Sequence, residues 1–254
     1  MTHPLKRPPY DTYNKYPQAS PLGKDLNDVE CDGLGSEGFR DNSITDNSQK
    51  IQVYFRNLTE HLVKHIEEAD VILGCVAWLT SDRILDALAQ KNDVSIVVQK
   101  EDFLRPDIGQ SSSWKYDLRL KYEALRTDLY RYSLTENIIC SLNVCSDSIL
   151  NTIRCAGNHN REKLPAAPRM HNKFLVFAKR ERSEEYFDRV SPYAVWTGSF
   201  NFSKNAGMSL ENALYITDET IARAYYREYG QIYAISEPLD WESDWCFPTY
   251  RIGT

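Results

Sequence analysis

The sequence predicts an α/β layer fold, and three observations carry that prediction. From Ile51 to Val98 the apolar pattern alternates strand, helix, strand, helix, strand. Short β-branched and aromatic runs return at Phe174–Phe177, Tyr193–Thr197 and Ala213–Ile216. A helical period then closes the body over residues 219–235.

Each element has its own signal. Residues 1–48 are rich in Pro, Gly, Asp, Asn and Ser and sustain no period, so they read as an irregular N-terminal extension ahead of a folded body over 49–254. Ile51-Gln-Val-Tyr-Phe55 alternates like a strand. Asn57-x-x-Glu60 has the form of a capping box, and Leu58, Leu62, Ile66 and Ala69 then share one helical face. The continuous apolar run Val71–Leu79 predicts a strand buried on both sides. Ser81 and Asp82 open a helix carrying Ile84, Leu85 and Leu88, and Val94–Val98 is a further strand. Trp114–Tyr132 reads as helical, Ile138–Val144 and Ile149–Cys155 as strands. In the closing helix Ile221, Tyr225, Ile232 and Ile235 are expected on the buried face. The tail from Trp241 to Thr254 is aromatic and acidic, and the chain shows no internal repeat.

The chain has 254 residues, 42% hydrophobic and 26% charged, which fits a single globular domain with an appendage. Its net charge of −6 argues against a protein coated in basic charge. Residues 151–180 depart from this: seven basic groups (Arg154, Arg161, Lys163, Arg169, Lys173, Lys179, Arg180) against Glu162 alone make the segment +6. A local positive field can hold an anion, although a solvated charged face has the same composition. The cysteines Cys31, Cys75, Cys140, Cys145, Cys155 and Cys246 form no Cys-x-x-Cys, so zinc-ribbon spacing is absent. The N-terminus lacks the apolar core of a signal peptide and no stretch reaches the length of a membrane span. A cytoplasmic protein with reduced thiols is the expectation.

The chemistry-bearing stretch runs from Pro168 to Asn212. His171 stands at the start of an apolar strand with Lys173 two residues on, so both side chains are expected on one face. A neutral imidazole is a nucleophile at physiological pH, and a lysine binds phosphate oxygens as a point charge. Gly198-Ser199-x-Asn201 follows a second strand: Ser199 and Asn201 can donate hydrogen bonds to phosphate, and Gly198 allows close approach of the backbone. Glu211 precedes a third strand, where a carboxylate could accept an imidazole N–H and fix its tautomer. Singly each motif is weak, since a lone His-x-Lys is more often structural and Gly-Ser-x-Asn more often a turn. Their order on consecutive strands is far harder to obtain by chance.

In that order, His171-x-Lys173, Gly198-Ser199-x-Asn201 and Glu211-Asn212, the chain resembles the phospholipase D superfamily, over roughly residues 51–236 and most of all the small single-motif bacterial nucleases. The resemblance implies an α/β/α sandwich with a mixed central sheet flanked by helices. It implies His171 as nucleophile, Lys173, Ser199 and Asn201 as phosphate ligands, and Glu211 as the partner of a histidine. The family motif continues with an Asp that is Ala178 here. The implied reaction needs two histidines, one attacking phosphorus and one protonating the leaving oxygen, and no metal or other cofactor. One motif and no repeat then imply a homodimer with the active site on its two-fold axis. Nucleic acid is the implied partner, DNA before RNA, with no membrane and with residues 1–48 available to a partner protein. A part in restricting foreign DNA or in DNA repair follows from the resemblance alone.

Other residues were weighed against this set. His61 and His65 are four apart on a helix but lack the Glu of a His-Glu-x-x-His site, so surface or partly buried histidines are the better reading. His159 fits a polar turn better than a site. Arg169 reads equally as a phosphate ligand or a surface charge; with Arg161, Lys163 and Gly198 it completes the candidate substrate-binding positions. The 16 tyrosines and 5 tryptophans could stack on bases but fit core spacing. Two alternatives to a nuclease keep the same site: a phospholipid hydrolase or phosphatidyl transferase, and a non-catalytic binding subunit.

Overall fold

A computed structural model describes residues 42–100, 104, 114–139, 149–157, 169–184 and 187–239. Its strands are β1 (Ile51–Tyr54), β2 (Val71–Val76), β3 (Asp93–Gln99), β4 (Ile153–Ala156), β5 (Lys173–Glu181), β6 (Arg189–Gly198), β7 (Ala213–Ile216) and β8 (Glu237–Pro238). Its helices are α1 (Leu58–Glu68), α2 (Asp82–Ala89), α3 (Trp114–Glu123), α4 (Lys204–Gly207) and α5 (Glu219–Ile235). The strands form one sheet in the order β1-β7-β6-β5-β2-β3-β4-β8. It is mixed: β2–β3 and β3–β4 are parallel, and the remaining neighbours are antiparallel.

Period-2 alternation divides the strand side chains between two cores. Ile72 and Val76, Ile96 and Val98, Leu175 and Phe177, and Ala194 and Trp196 face a layer made by α1, α2 and α3. Val71, Leu73 and Cys75, Val97, Phe174 and Val176, and Val195 face α5 and the segment around Leu129–Ile139. Helices on both faces of a mixed sheet make the expected α/β/α sandwich. The middle strands are apolar without a break because both of their faces are covered: β2 and β3 are buried at every position.

Several local expectations are corrected. Asn57 is left-handed (φ 53°) and its side chain makes no cap bond, so the capping box is not formed; Glu60 pairs instead with Arg83 on α2. The α3 helix ends at Glu123, well short of Tyr132, and only Leu118 and Tyr122 of it are buried. β4 begins at Ile153, while Ile149 makes an isolated bridge to Tyr130. Ile138 and Ile139 form a buried turn, and the rest of the strand expected to Val144 lies outside the described residues. On α5 Ile232 is buried and Ile221 and Tyr225 pack half-buried on the same core as expected, joined by Ala222, Tyr226, Tyr229 and Tyr233, whereas Ile235 is 50% exposed. Asp218 caps that helix by accepting from the backbone N–H of Thr220 and Ile221. Within the stretch read as extension, Ile44 pairs with Val53 of β1 and Ser43 accepts from the backbone of Phe55. Residues 1–41 and 240–254 lie outside the described residues.

The +6 segment is not one surface. Arg154 is 4% exposed and bonds Ser236 and Asn151, tying β4 to the end of α5. Arg180 is held by Asp93, Asp128 and Asp188, and Lys179 lies near Asp70 and over the Tyr193 ring. All three are structural, and Lys179 and Arg180 sit at the opposite end of β5 from Lys173, roughly 20 Å away at strand rise. Arg161 and Lys163 lie outside the described residues, which leaves Arg169 and Lys173 next to the motif.

Of the two helix histidines expected to be surface or partly buried, His61 is partly buried against Tyr54, whereas His65 is 7% exposed and stacks on Tyr215 at 3.7 Å. Tyr54 donates to Gln52, so the 3.0 Å contact to His65 Nε2 requires the proton on that nitrogen. Burial, then the charges of Lys64 and His61, push the His65 pKa down to about 4. The folded state therefore refuses a proton that the unfolded chain accepts near 6.5, and acid favours unfolding between those values. Urea unfolding at pH 7 and pH 4.5 should show wild type losing about 2 kcal/mol more than His65→Phe. Equal losses in the two proteins would refute it.

Candidate active site

The carboxyl ends of β2 and β3, the amino end of β5, the carboxyl end of β6 and the amino end of β7 all meet at one end of the sheet. The sequence-predicted residues collect there because Lys173 opens β5, Gly198 closes β6, and Glu211 and Asn212 lead into β7.

His171 is exposed and lies two residues ahead of β5 rather than inside the strand. Its backbone neighbour is pinned, since Ala77 N–H donates to Asn172 O at 2.7 Å. The Lys173 ammonium donates to His171 O at 2.9 Å and lies 3.0 Å from Nδ1 and 3.2 Å from Nε2. A point so close to both nitrogens lies over the face of the ring, because in the plane it would overlap the carbon between them. Trp78, just past β2, meets the same ring edge-on at 5.9 Å and 85°. Desolvation, then the charges of Lys173 and Arg169, lower the His171 pKa, which favours the neutral nucleophilic form. Lys173 is 9% exposed, and its own pKa is lowered by desolvation against the raising effect of Glu211. Arg169 is thus close enough for its charge to act on His171.

Ser199 donates to Glu211 and accepts from Asn212 N–H at 3.1 Å, while its backbone N–H donates to Asn212 O. Glu211, read from the resemblance as a histidine partner, bonds Ser199 in this chain and exerts its charge on Lys173. The Asn201 Oδ1 is buried with no hydrogen-bond partner among the described residues. A phosphate oxygen cannot supply that partner, so a phosphate must meet the Nδ2 side of the amide. Gly198 stands where two backbones approach closely, as expected. A Cβ there would stand 2.3 Å from Asn212 O and 2.8 Å from Ala213 Cα, so the close approach it allows is that of β7, which brings Glu211 to Ser199.

Sequence reasoning missed Trp78 and Gln99. Trp78 ends an apolar run and reads as core; Gln99 is a lone polar residue ending a β-branched strand, and its partners are remote in sequence. Among the described residues no group of three His, Cys, Asp or Glu could hold a metal ion, and no helix is long and apolar enough to cross a membrane.

No family model matches the chain. Among solved structures it is similar to Nuc of Salmonella typhimurium, a phospholipase D family member (16% identity, 73% of this chain and 95% of that one, TM-score 0.40). It is also similar to NucT from Helicobacter pylori (12% identity, 72% and 94%, TM-score 0.44). The archaeal chromatin protein TrmBL2 matches at 11% identity over 76% of this chain and 55% of that one, with a TM-score of 0.36. In sequence it is 36% identical over 233 residues to the uncharacterized protein L381 of Acanthamoeba polyphaga mimivirus, covering 86% of this chain and 74% of that protein. At that identity and coverage the chain belongs to the same family as the mimivirus L381 protein.

Proposed function

We propose that the protein is a phospholipase D superfamily phosphodiesterase, a nuclease that cuts DNA or RNA through a phosphohistidine at a site shared by two copies of the chain. The observation that carries this reading is the meeting of the His171–Lys173 pair and the Ser199–Glu211 pair at one end of the sheet. A neutral imidazole nitrogen of His171 attacks phosphorus, forming an N–P bond while the P–O bond to the leaving strand breaks. His171 of the partner subunit, protonated, gives its proton to that oxygen. Water then attacks the phosphohistidine, losing its proton to the same histidine, and His171 is released. Lys173 and the Asn201 Nδ2 group bind the phosphate oxygens as the pentacoordinate charge develops, and Ser199 joins them when its hydroxyl proton turns from Glu211 to the phosphate. Arg169, with Arg161 and Lys163, extends the path for the nucleic acid, and residues 1–48 serve a partner protein.

Plasmid DNA, single-stranded DNA, RNA and a fluorescent phospholipid, each offered with and without EDTA, test the reading. Cleavage of a nucleic acid, unchanged by EDTA, is expected, because the covalent route needs no Lewis acid. Loss on chelation, with restoration by Mg²⁺ or Mn²⁺, would overturn the mechanism. Turnover of the phospholipid alone would move the substrate class.

A further inference from the structure

We infer that Gln99 is the positioning residue for His171: its buried side-chain amide fixes the backbone on which the nucleophile is carried. His171 sits outside the sheet ladder, so something other than strand pairing must hold it. Two hydrogen bonds flank it. On one side Ala77 N–H donates to Asn172 O at 2.7 Å, a backbone bond that β2 supplies. On the other side Met170 N–H donates to Gln99 Oε1 at 2.7 Å. The first anchor belongs to the sheet, and the second is a side chain reaching across from the end of β3.

Gln99 is well placed for that task. It is 1% exposed, and a polar side chain buried to that degree costs stability unless it is bonded. Its Nε2 donates to Lys100 O at 3.0 Å, which fixes the amide with Oε1 turned to Met170. Its backbone N–H donates to Ala77 O, so the residue holding Asn172 and the residue holding Met170 are bonded to each other. The neighbouring strand keeps clear of the bond. Gly157, just past β4, has φ +88°, and a Cβ there would stand 2.3 Å from Gln99 Oε1 and 2.8 Å from Met170 N. Any side chain at 157 would therefore occupy the Gln99–Met170 hydrogen bond itself. Met170 is 8% exposed and anchors the same segment in the core facing α5.

Misplacing a nucleophile by about an ångström can cost on the order of 100-fold in rate without loss of binding. In Gln99→Leu and in Gly157→Ala, kcat should fall by about 10- to 100-fold with KM changed little. Gln99→Glu keeps the acceptor for Met170 N–H and, with its buried carboxyl protonated, the donor to Lys100 O, and should restore most of the rate. The turnover arm rests on the proposed function, but a second arm does not. The His171 imidazole, assigned by its loss in His171→Ala, can be titrated by NMR in wild type and variants. Lys173 at the start of β5 and Arg169 on the histidine's own segment face it. In Gln99→Leu and Gly157→Ala its pKa should rise toward 6.5 as the segment moves into water and away from Lys173, carrying Arg169 with it, while Gln99→Glu with its buried carboxyl protonated keeps the wild-type value. A wild type that cuts nothing would sink the nuclease reading while leaving this titration intact. Folded Gln99→Leu or folded Gly157→Ala with an unshifted His171 titration would overturn the positioning role, as would the same loss of rate in Gln99→Glu.

Discussion

Under the proposed mechanism, His171→Ala is expected to abolish turnover, by on the order of 10⁴-fold or more, with the fold and the proposed dimer intact. The stability side follows from where the residue sits. His171 is exposed and ahead of β5, so truncation opens no cavity in either core and should cost under about 1 kcal/mol. The chemical side follows from the lack of a substitute among the described histidines. His61 and His65 lie on α1 in the cluster of Tyr54 and Tyr215, and the Tyr54–His65 contact is part of the body's packing. In a symmetric dimer the change removes nucleophile and acid together, because both are copies of one residue. Mixed dimers carrying one mutant subunit should then be inactive or nearly so. Mixed dimers running at about half the wild-type rate would show a complete site in each subunit, and some other residue would have to supply the second proton.

The strands were legible because their period is a local property. Val71–Val76, Val94–Val98 and Ala213–Ile216 announce themselves by apolar and β-branched runs, and their order with α1, α2 and α5 predicts the layered fold. That the candidate site residues would lie together was legible for the same reason: His171 and Lys173, and then Ser199 and Glu211, are adjacent to strand ends that meet at one end of the sheet. What could not be read depends on partners far along the chain. Gln99 works through Met170, 71 residues away, and Gly198 through Asn212. The basic segment misled because nearness in sequence along a nine-residue strand is distance in space: Lys173 and Arg180 share a strand but serve opposite ends of the sheet. On α5 the expected face holds for Ile221, Tyr225 and Ile232 and fails at the aliphatic Ile235, while the tyrosines at 226, 229 and 233, which the apolar pattern did not single out, carry much of the packing with their hydroxyls bonded inside, as Tyr229 to Ser95 shows.

Introducing the Asp that the family motif carries, Ala178→Asp, is expected to destabilise the protein by about 3 kcal/mol or more. Ala178 is fully buried, paired with Val71 on β2 and Pro192 on β6, in the core facing α5 that also holds Leu134 and Val190. A carboxylate there leaves water for an apolar contact, and the nearest cation on the same face of the strand, Arg180, is already engaged by Asp93, Asp128 and Asp188. Volume and charge can be separated. Ala178→Val adds bulk without a polar group and should cost about 1 to 2 kcal/mol, clearly less than Asp. Acid should also shrink the Asp deficit relative to wild type, because a buried carboxyl is raised in pKa and the protonated form is the cheaper one to bury. Denaturant unfolding of the three proteins at pH 7 and pH 5 reads both differences. The same variants test what the substitution means for catalysis. Ala178 is five residues along β5 from Lys173, roughly 17 Å at strand rise, so the native alanine should leave the site's chemistry untouched. If Ala178→Asp instead folds with wild-type stability and raises the rate of cleavage, the position supports the site from a distance, and the alanine is a loss rather than an accommodation to this core.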